Sequence, residues 1–225
     1  MFHLSAGRMI AMLGITAAAM LALFVPSRAA TPLPDPRIDA PLATAKATQT
    51  AVFAGGCFWG VEAVFEHVKG VTEVVSGYSG GSADTAKYDA VSSGGSGHAE
   101  SVRVSYDPSS ISYGQLLRVL FSVAHDPTEL NRQGPDSGTQ YRSVVFFAND
   151  EQKRVTEAYI AQLQAARAFA RPIVTQVTPL KAFYDAEAYH QDYLARNPTQ
   201  PYIVINDLPK IANLQRQFPA LYVGK

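Results

Sequence analysis

Cysteine and tryptophan are the residues this chain has least of, one of each in 225. A single cysteine excludes an internal disulfide and any zinc site built on several thiolates. Methionine is scarce as well. Met1, Met9, Met12 and Met20 are the only four, so beyond residue 20 there is no thioether for an oxidant to convert into a core-disrupting sulfoxide. No sign of charge dominates, with 19 basic residues facing 19 acidic ones. Neither a basic stripe nor aromatic–basic interleaving is present, which argues against a nucleic-acid partner. The length allows one large domain or two small ones, and the 47% apolar share suits a soluble protein with a real core.

The lone cysteine and the lone tryptophan stand together, in Gly55-Gly56-Cys57-Phe58-Trp59-Gly60. An apolar run at residues 51–54 reads as a buried strand. Val61, Val64, Phe65 and Val68 follow at helical spacing, which puts Cys57 where a strand hands over to a helix. The glycines permit a sharp turn, and the unpaired N–H groups of the first helical turn face the sulfur. A helix start favours negative charge, so an easily ionised thiol is expected. A lone cysteine is most often a small buried hydrophobe. The diglycine, the helix start and the aromatic pair weigh against that here and make Cys57 a candidate nucleophile.

Residues 1–29 carry His3 and Arg8, an apolar run from Met9 to Val25, and small residues at Ser27 and Ala29. That is the layout of a secretory signal peptide, with cleavage expected after Ala29; an uncleaved membrane anchor is the alternative. Either way the domain is expected to be exported, to the periplasm in a bacterium. Setting aside the leader's Arg8 and Arg28 leaves 17 basic and 19 acidic residues, a net of −2. Residues 30–50, rich in proline and alanine and without periodicity, read as a flexible linker. Residues 51–219 read as the domain, and 220–225 as a short tail. Within the domain, strands are expected at 51–54, 71–78, 100–106, 141–147 and 173–177, and helices from 61, from 112 and over 151–169. Residues 82–99 read as a long polar loop, and short helices are expected near 185–194 and 211–218. The order β-α-β-β-α-β predicts an α+β fold, a ferredoxin-like two-layer sandwich with C-terminal additions.

Three clusters are unlike packing. Gly97-His98-Ala99-Glu100 opens a strand with a carboxylate, where a solvated surface group is the ordinary explanation. Tyr88 has no periodic reason to stand in its loop. The run from Asn131 to Asp136 leads through another polar loop into Gly138-Thr139-Gln140-Tyr141-Arg142-Ser143. Loops carry function more often than cores do. His190, between tyrosines in Tyr189-His190-Gln191-Asp192-Tyr193, reads as structural.

These motifs, in this order and at these spacings, resemble the A-class peptide methionine sulfoxide reductases over roughly residues 51–218. The resemblance implies Cys57 as nucleophile and Glu100 as the acid that protonates the sulfoxide oxygen. Tyr88 and Tyr141 would hydrogen-bond that oxygen, Phe58 and Trp59 would enclose the substrate methyl group, and Asp136 matches a substrate-binding position. It further implies the S epimer, oxidised proteins and peptides as substrates, and no cofactor or metal. The chemistry agrees with those residue types. A sulfoxide is a poor electrophile until its oxygen is protonated or strongly hydrogen-bonded, and phenols donate without adding charge. A carboxyl serves as that acid at neutral pH only if burial or a nearby thiolate raises its pKa. Cys57 would leave the reaction as a sulfenic acid.

Many members of that family carry a second cysteine in a glycine-rich C-terminal tail. Here the last residues are Phe218-Pro219-Ala220-Leu221-Tyr222-Val223-Gly224-Lys225, without one. An external thiol, from a thioredoxin-like or glutaredoxin-like protein, is therefore expected to recycle Cys57, and a monomer is expected. Two other classes compete. A cysteine hydrolase or acyl transferase would use Cys57, His98 and Glu100, with His98 and Glu100 two apart on an extended strand and so on one side. A non-catalytic exported binding module would use none of them.

Overall fold

The computed structural model describes Met1 and residues 33–224; the expected signal peptide lies outside the described residues, Met1 apart. The fold is mixed α+β. Its six-stranded sheet runs in the order β7-β6-β1-β3-β2-β8, with a two-stranded ribbon, β4 (Arg132–Gln133) and β5 (Asp136–Ser137), beside it. The central strands are β1 (Gln49–Ala54), β2 (Val71–Ser79), β3 (Ala99–Tyr106) and β6 (Val144–Phe147). β1 pairs antiparallel with both β3 and β6, and β2 pairs antiparallel with β3. The outer strands are β7 (Gln176–Pro179), parallel to β6, and β8 (Phe183–Asp185), antiparallel to β2. One parallel pair among antiparallel ones makes the sheet mixed.

Alternation along the strands sorts their side chains onto two faces. Ala51, Phe53, Val102, Val104 and Val145 meet the helices α1 (Phe58–Glu66), α3 (Tyr113–Val119) and α4 (Asp150–Ala165) in the main core. Val52, Ala54, Ala99, Val144 and Phe146 form a smaller cluster on the opposite face. Phe53 and Phe65 stack with centroids 5.4 Å apart. Burying a side chain of that size is worth roughly 1.5–3 kcal/mol, so the core anchors both ends of the β1–α1 corner. A capping box, Ser112 with Gln115, starts α3, and Asn149 caps α4 through the Gln152 N–H at 2.9 Å.

Several expectations need correction. Of residues 30–50, read as a flexible linker, 33–48 lie against the domain and 49–50 open β1. Asp39 accepts from the Ser112 hydroxyl and the Gly114 N–H, Arg118 donates to the Leu33 carbonyl, and the Tyr159 hydroxyl donates to that of Pro34. The loop at 82–99 contains a helix, α2 (Tyr88–Ser92). The strand expected at 173–177 starts later, because the Val174 N–H is taken by the Pro127 carbonyl at 2.8 Å instead of by the ladder. Residues 185–194 are not one helix. Asp185 ends β8, turns follow, and Asp192 at φ 51° is left-handed, so only α5 (Tyr193–Arg196) is helical. The last helix, α6 (Leu208–Gln217), begins earlier than expected and continues without a break from a π-helical turn, Ile203–Asp207.

Candidate active site

The site forms where β1 ends. Gly56 at φ +93° makes the turn, and a Cβ there would lie 2.6 Å from Gln133, so the ribbon packs directly on the corner. Cys57 follows as the N-cap of α1, only 8% exposed. The register of β3 beside β2 sets Glu100 opposite Tyr78, buried, and its Oε2 accepts the Phe58 N–H at 3.1 Å. The carboxyl is thereby tied to the residue next to the thiol.

Burial raises the Glu100 pKa to about 8, with the Asp136 charge adding to the rise and the Phe58 N–H opposing it. Glu100 thus keeps its proton at neutral pH. Cys57 departs from the expected easily ionised thiol. Burial pushes its pKa well above the ordinary value, and the charges of Glu100 and Asp207 push further; the Trp59 N–H and Lys210 only partly counter this. The helix start acts as expected but is outweighed by desolvation. In the resting site both the thiol and the carboxyl are protonated.

Tyr88 opens α2, and Tyr141 closes the short 3-10 turn Thr139–Tyr141. The pKa of each is raised by burial and then by Glu100, with Cys57 contributing, which places both phenols in the field of the same two groups. Phe58 is fully buried between Tyr78 and His190, with ring centroids at 5.9 and 5.0 Å. Trp59 stacks on Tyr193 at 3.7 Å and stands edge-on to Tyr202 at 6.0 Å. Its indole N–H donates to His190 Nδ1 at 3.2 Å, so His190 holds the tryptophan in place. Asp136, on β5, accepts a hydrogen bond from the Tyr202 hydroxyl. A cavity of about 110 Å³ joins Cys57 to Gln133, Asp136, Tyr202, Asn206 and Lys210. A wider hollow of about 560 Å³ around Leu163, Phe169 and Ile173 shares none of these residues.

All seven residues singled out in the sequence come together at this corner. His98 does not take part. Its Nδ1 accepts the Gly81 N–H at 3.2 Å and its Nε2 donates to the Ser82 carbonyl at 2.9 Å. With both nitrogens used to fold the loop, no base remains for a Cys57–His98–Glu100 triad. Among the described residues no group of three or more His, Cys, Asp or Glu side chains is placed to hold a metal ion. Sequence reading missed Tyr202, Asp207 and Lys210. Asp207 and Lys210 stand where the π-helical turn Ile203–Asp207 runs into α6, and nothing in consecutive letters signals that turn's approach to Cys57.

Residues 49–221 match the family described as peptide methionine sulfoxide reductase. The chain belongs to that family. It is 61% identical over 181 residues to peptide methionine sulfoxide reductase MsrA 2 of Mesorhizobium japonicum, covering 80% of this chain and 93% of that protein. Against the MsrA 2 of Synechocystis the identity is 54% over 188 residues, 83% of this chain and 88% of that one. Among solved structures, reduced Mxr1 of Saccharomyces cerevisiae superimposes with a TM-score of 0.62 at 33% identity, over 73% of this chain and 92% of that one. Methionine sulfoxide reductase A of Corynebacterium diphtheriae gives 0.60 at 35%, over 76% and 85%.

Proposed function

We propose that this chain reduces methionine S-sulfoxide, free or in oxidised proteins, by direct attack of Cys57 on the sulfoxide sulfur. The observation that carries the reading is the buried, protonated Glu100 hooked to the Phe58 N–H beside the only cysteine. Glu100 gives its proton to the sulfoxide oxygen while the Tyr88 and Tyr141 hydroxyls donate to it. As a carboxylate, Glu100 then takes the Cys57 proton, and the sulfur attacks. The attack joins the Cys57 sulfur to the substrate sulfur. The hydroxyl then passes to Cys57 as that bond breaks, leaving a sulfenic acid on Cys57 and methionine as the thioether, and no net proton is consumed. Phe58 and Trp59 form the apolar wall for the methyl group, and Asp136 with Tyr202 the polar one.

A first external thiol converts the sulfenic acid to a mixed disulfide with loss of water, and a second releases Cys57. A thioredoxin-like or glutaredoxin-like protein is the proposed donor, since Cys57 is the only thiol in this sequence. The proposal extends to a monomer exported by a cleaved leader over residues 1–29, with the reductase domain following and residues 33–48 packed against it. It extends also to a ferredoxin-like core. The order β6-β1-β3-β2, with β1 antiparallel to both neighbours, supports that description.

A single-turnover assay in thiol-free buffer tests the reading. One methionine per chain is expected, with a sulfenic-acid probe captured on Cys57. Continued turnover without thiol rejects the scheme, as does no methionine at all. Mass spectrometry of the chain from cell fractions tests export: a new N-terminus at Ala30 supports it, and full-length cytoplasmic protein opposes it.

A further inference from the structure

Tyr88 is carried by α2, a helix of five residues. So short a helix does not persist in water by itself. Its N-cap, Lys87, offers no side-chain hydrogen bond. The missing acceptor comes from 99 residues further along the chain, where Glu187 Oε1 takes the Tyr88 N–H at 2.9 Å. The same carboxylate takes the Tyr78 hydroxyl on Oε2 at 2.8 Å, and the Tyr78 ring backs Phe58. A carboxylate at a helix start satisfies an orphan N–H and meets the positive end of the helix.

The loop that supplies Glu187 is itself fixed to the sheet. Gln191 accepts the Ser76 N–H and donates to the carbonyls of Ser76 and Ala186, each at 2.9 Å. The Ala186 N–H donates to the Ser76 carbonyl at 2.9 Å. Glu187 therefore sits on a rigid base between two walls of the site.

On the reading of the site given above, we infer that Glu187 is a positioning residue for sulfoxide reduction, capping α2 from outside so that the Tyr88 hydroxyl is held toward the sulfoxide oxygen. It touches neither the thiol nor the substrate, and it acts through Tyr88. Misplacing a reacting group by an ångström costs on the order of 100-fold in rate. Loss of one of two phenolic donors is a milder version, about 10-fold.

The test is a double-mutant cycle of Glu187→Ala with Tyr88→Phe, read as the rate constant of methionine release in a single turnover. Glu187→Gln is included because its one carbonyl oxygen replaces one of the two acceptors. Amide hydrogen exchange over residues 88–92 is measured on the same proteins. Glu187→Ala is expected to slow release about 10-fold in the parent chain and by less than about 2-fold beside Tyr88→Phe. Exchange at 88–92 should accelerate, and Glu187→Gln should fall between. An equal loss in both backgrounds overturns the inference, as does unchanged protection at 88–92, or a lower melting temperature with an unchanged rate constant. If Tyr88→Phe itself leaves release unchanged, the role of Tyr88 and the inference fall together. If the parent chain releases no methionine, the reductase reading fails, and the exchange data still decide whether Glu187 caps α2.

Discussion

Glu100 and Cys57 both hold protons at neutral pH, and one cause, burial, raises both pKa values. For Glu100 this has two measurable consequences of opposite kind. Activity should fall as pH rises through about 8, because the acid proposed to protonate the sulfoxide is then lost. Glu100→Gln should remove that limb and cost on the order of 100-fold or more in methionine release, since an amide donates a hydrogen bond but no proton. Stability should move the other way. A carboxyl whose folded pKa lies above its unfolded value is neutral to folding below the unfolded value, and it destabilises progressively as pH rises from there to the folded value. With that range running from 4.5 to about 8, keeping the proton at pH 7 costs on the order of 3 kcal/mol. The Gln variant avoids this cost and still offers an oxygen to the Phe58 N–H. Its melting temperature should exceed the parent's at pH 7.5, and the gain should vanish near pH 4. Glu62, buried on α1 with its pKa likewise raised to about 8, adds to the same alkaline loss in both proteins and leaves the difference between them intact.

At the scale of elements, the β1–α1 corner is pressed from the side by α6. A Cβ at Gly60 would fall 2.0 Å from Asp207 Oδ1 and 2.6 Å from Lys210 Nζ. Asp207 is fully buried and holds Lys210 at 3.1 Å, so neither yields easily. Gly60→Ala should therefore destabilise the fold by about 1–3 kcal/mol despite the better helix propensity of alanine. Thermal melts at neutral pH check this, and a variant as stable as the parent refutes the close approach. The elements readable in the sequence were those with a clean period. α1, α3 and α4 repeat their apolar residues at helical spacing, and β3 alternates. α2 was illegible because its stability comes from Glu187 rather than from its own residues. β8 is too short to show a period, and β7 is displaced because residue 174 bonds to the loop at Pro127.

At the scale of the whole molecule, the chain before β1 belongs to the folded body. Deleting residues 33–48 would free Arg118 and the Tyr159 hydroxyl and strip Asp39 from the start of α3. Each lost hydrogen bond is worth about 0.5–1.5 kcal/mol. A chain beginning at Gln49 should melt several degrees below one beginning at Leu33, with a similar methionine-release rate in the folded protein. Equal melting temperatures would mean the segment contributes nothing. Among the described residues no helix is long and apolar enough to cross a membrane.

Cys57 was legible from its own surroundings as a candidate nucleophile, while the roles of Glu100, Tyr88, Tyr141, Phe58 and Trp59 came from the family resemblance of their motifs. Glycines, a helix start and polar residues in loops are written in consecutive letters. The protonation state of Cys57 was not legible, since desolvation and the charges of Glu100 and Asp207 arrive from β3 and from the start of α6, far along the chain. The same holds for His98, which sequence spacing offers as a base and the folded loop consumes at both nitrogens. It holds again for Tyr202, which reaches Asp136 across 66 residues. Periodicity and spacing are properties of neighbours in the chain. Burial, charge and capping are set by neighbours in space, and only folding brings those together.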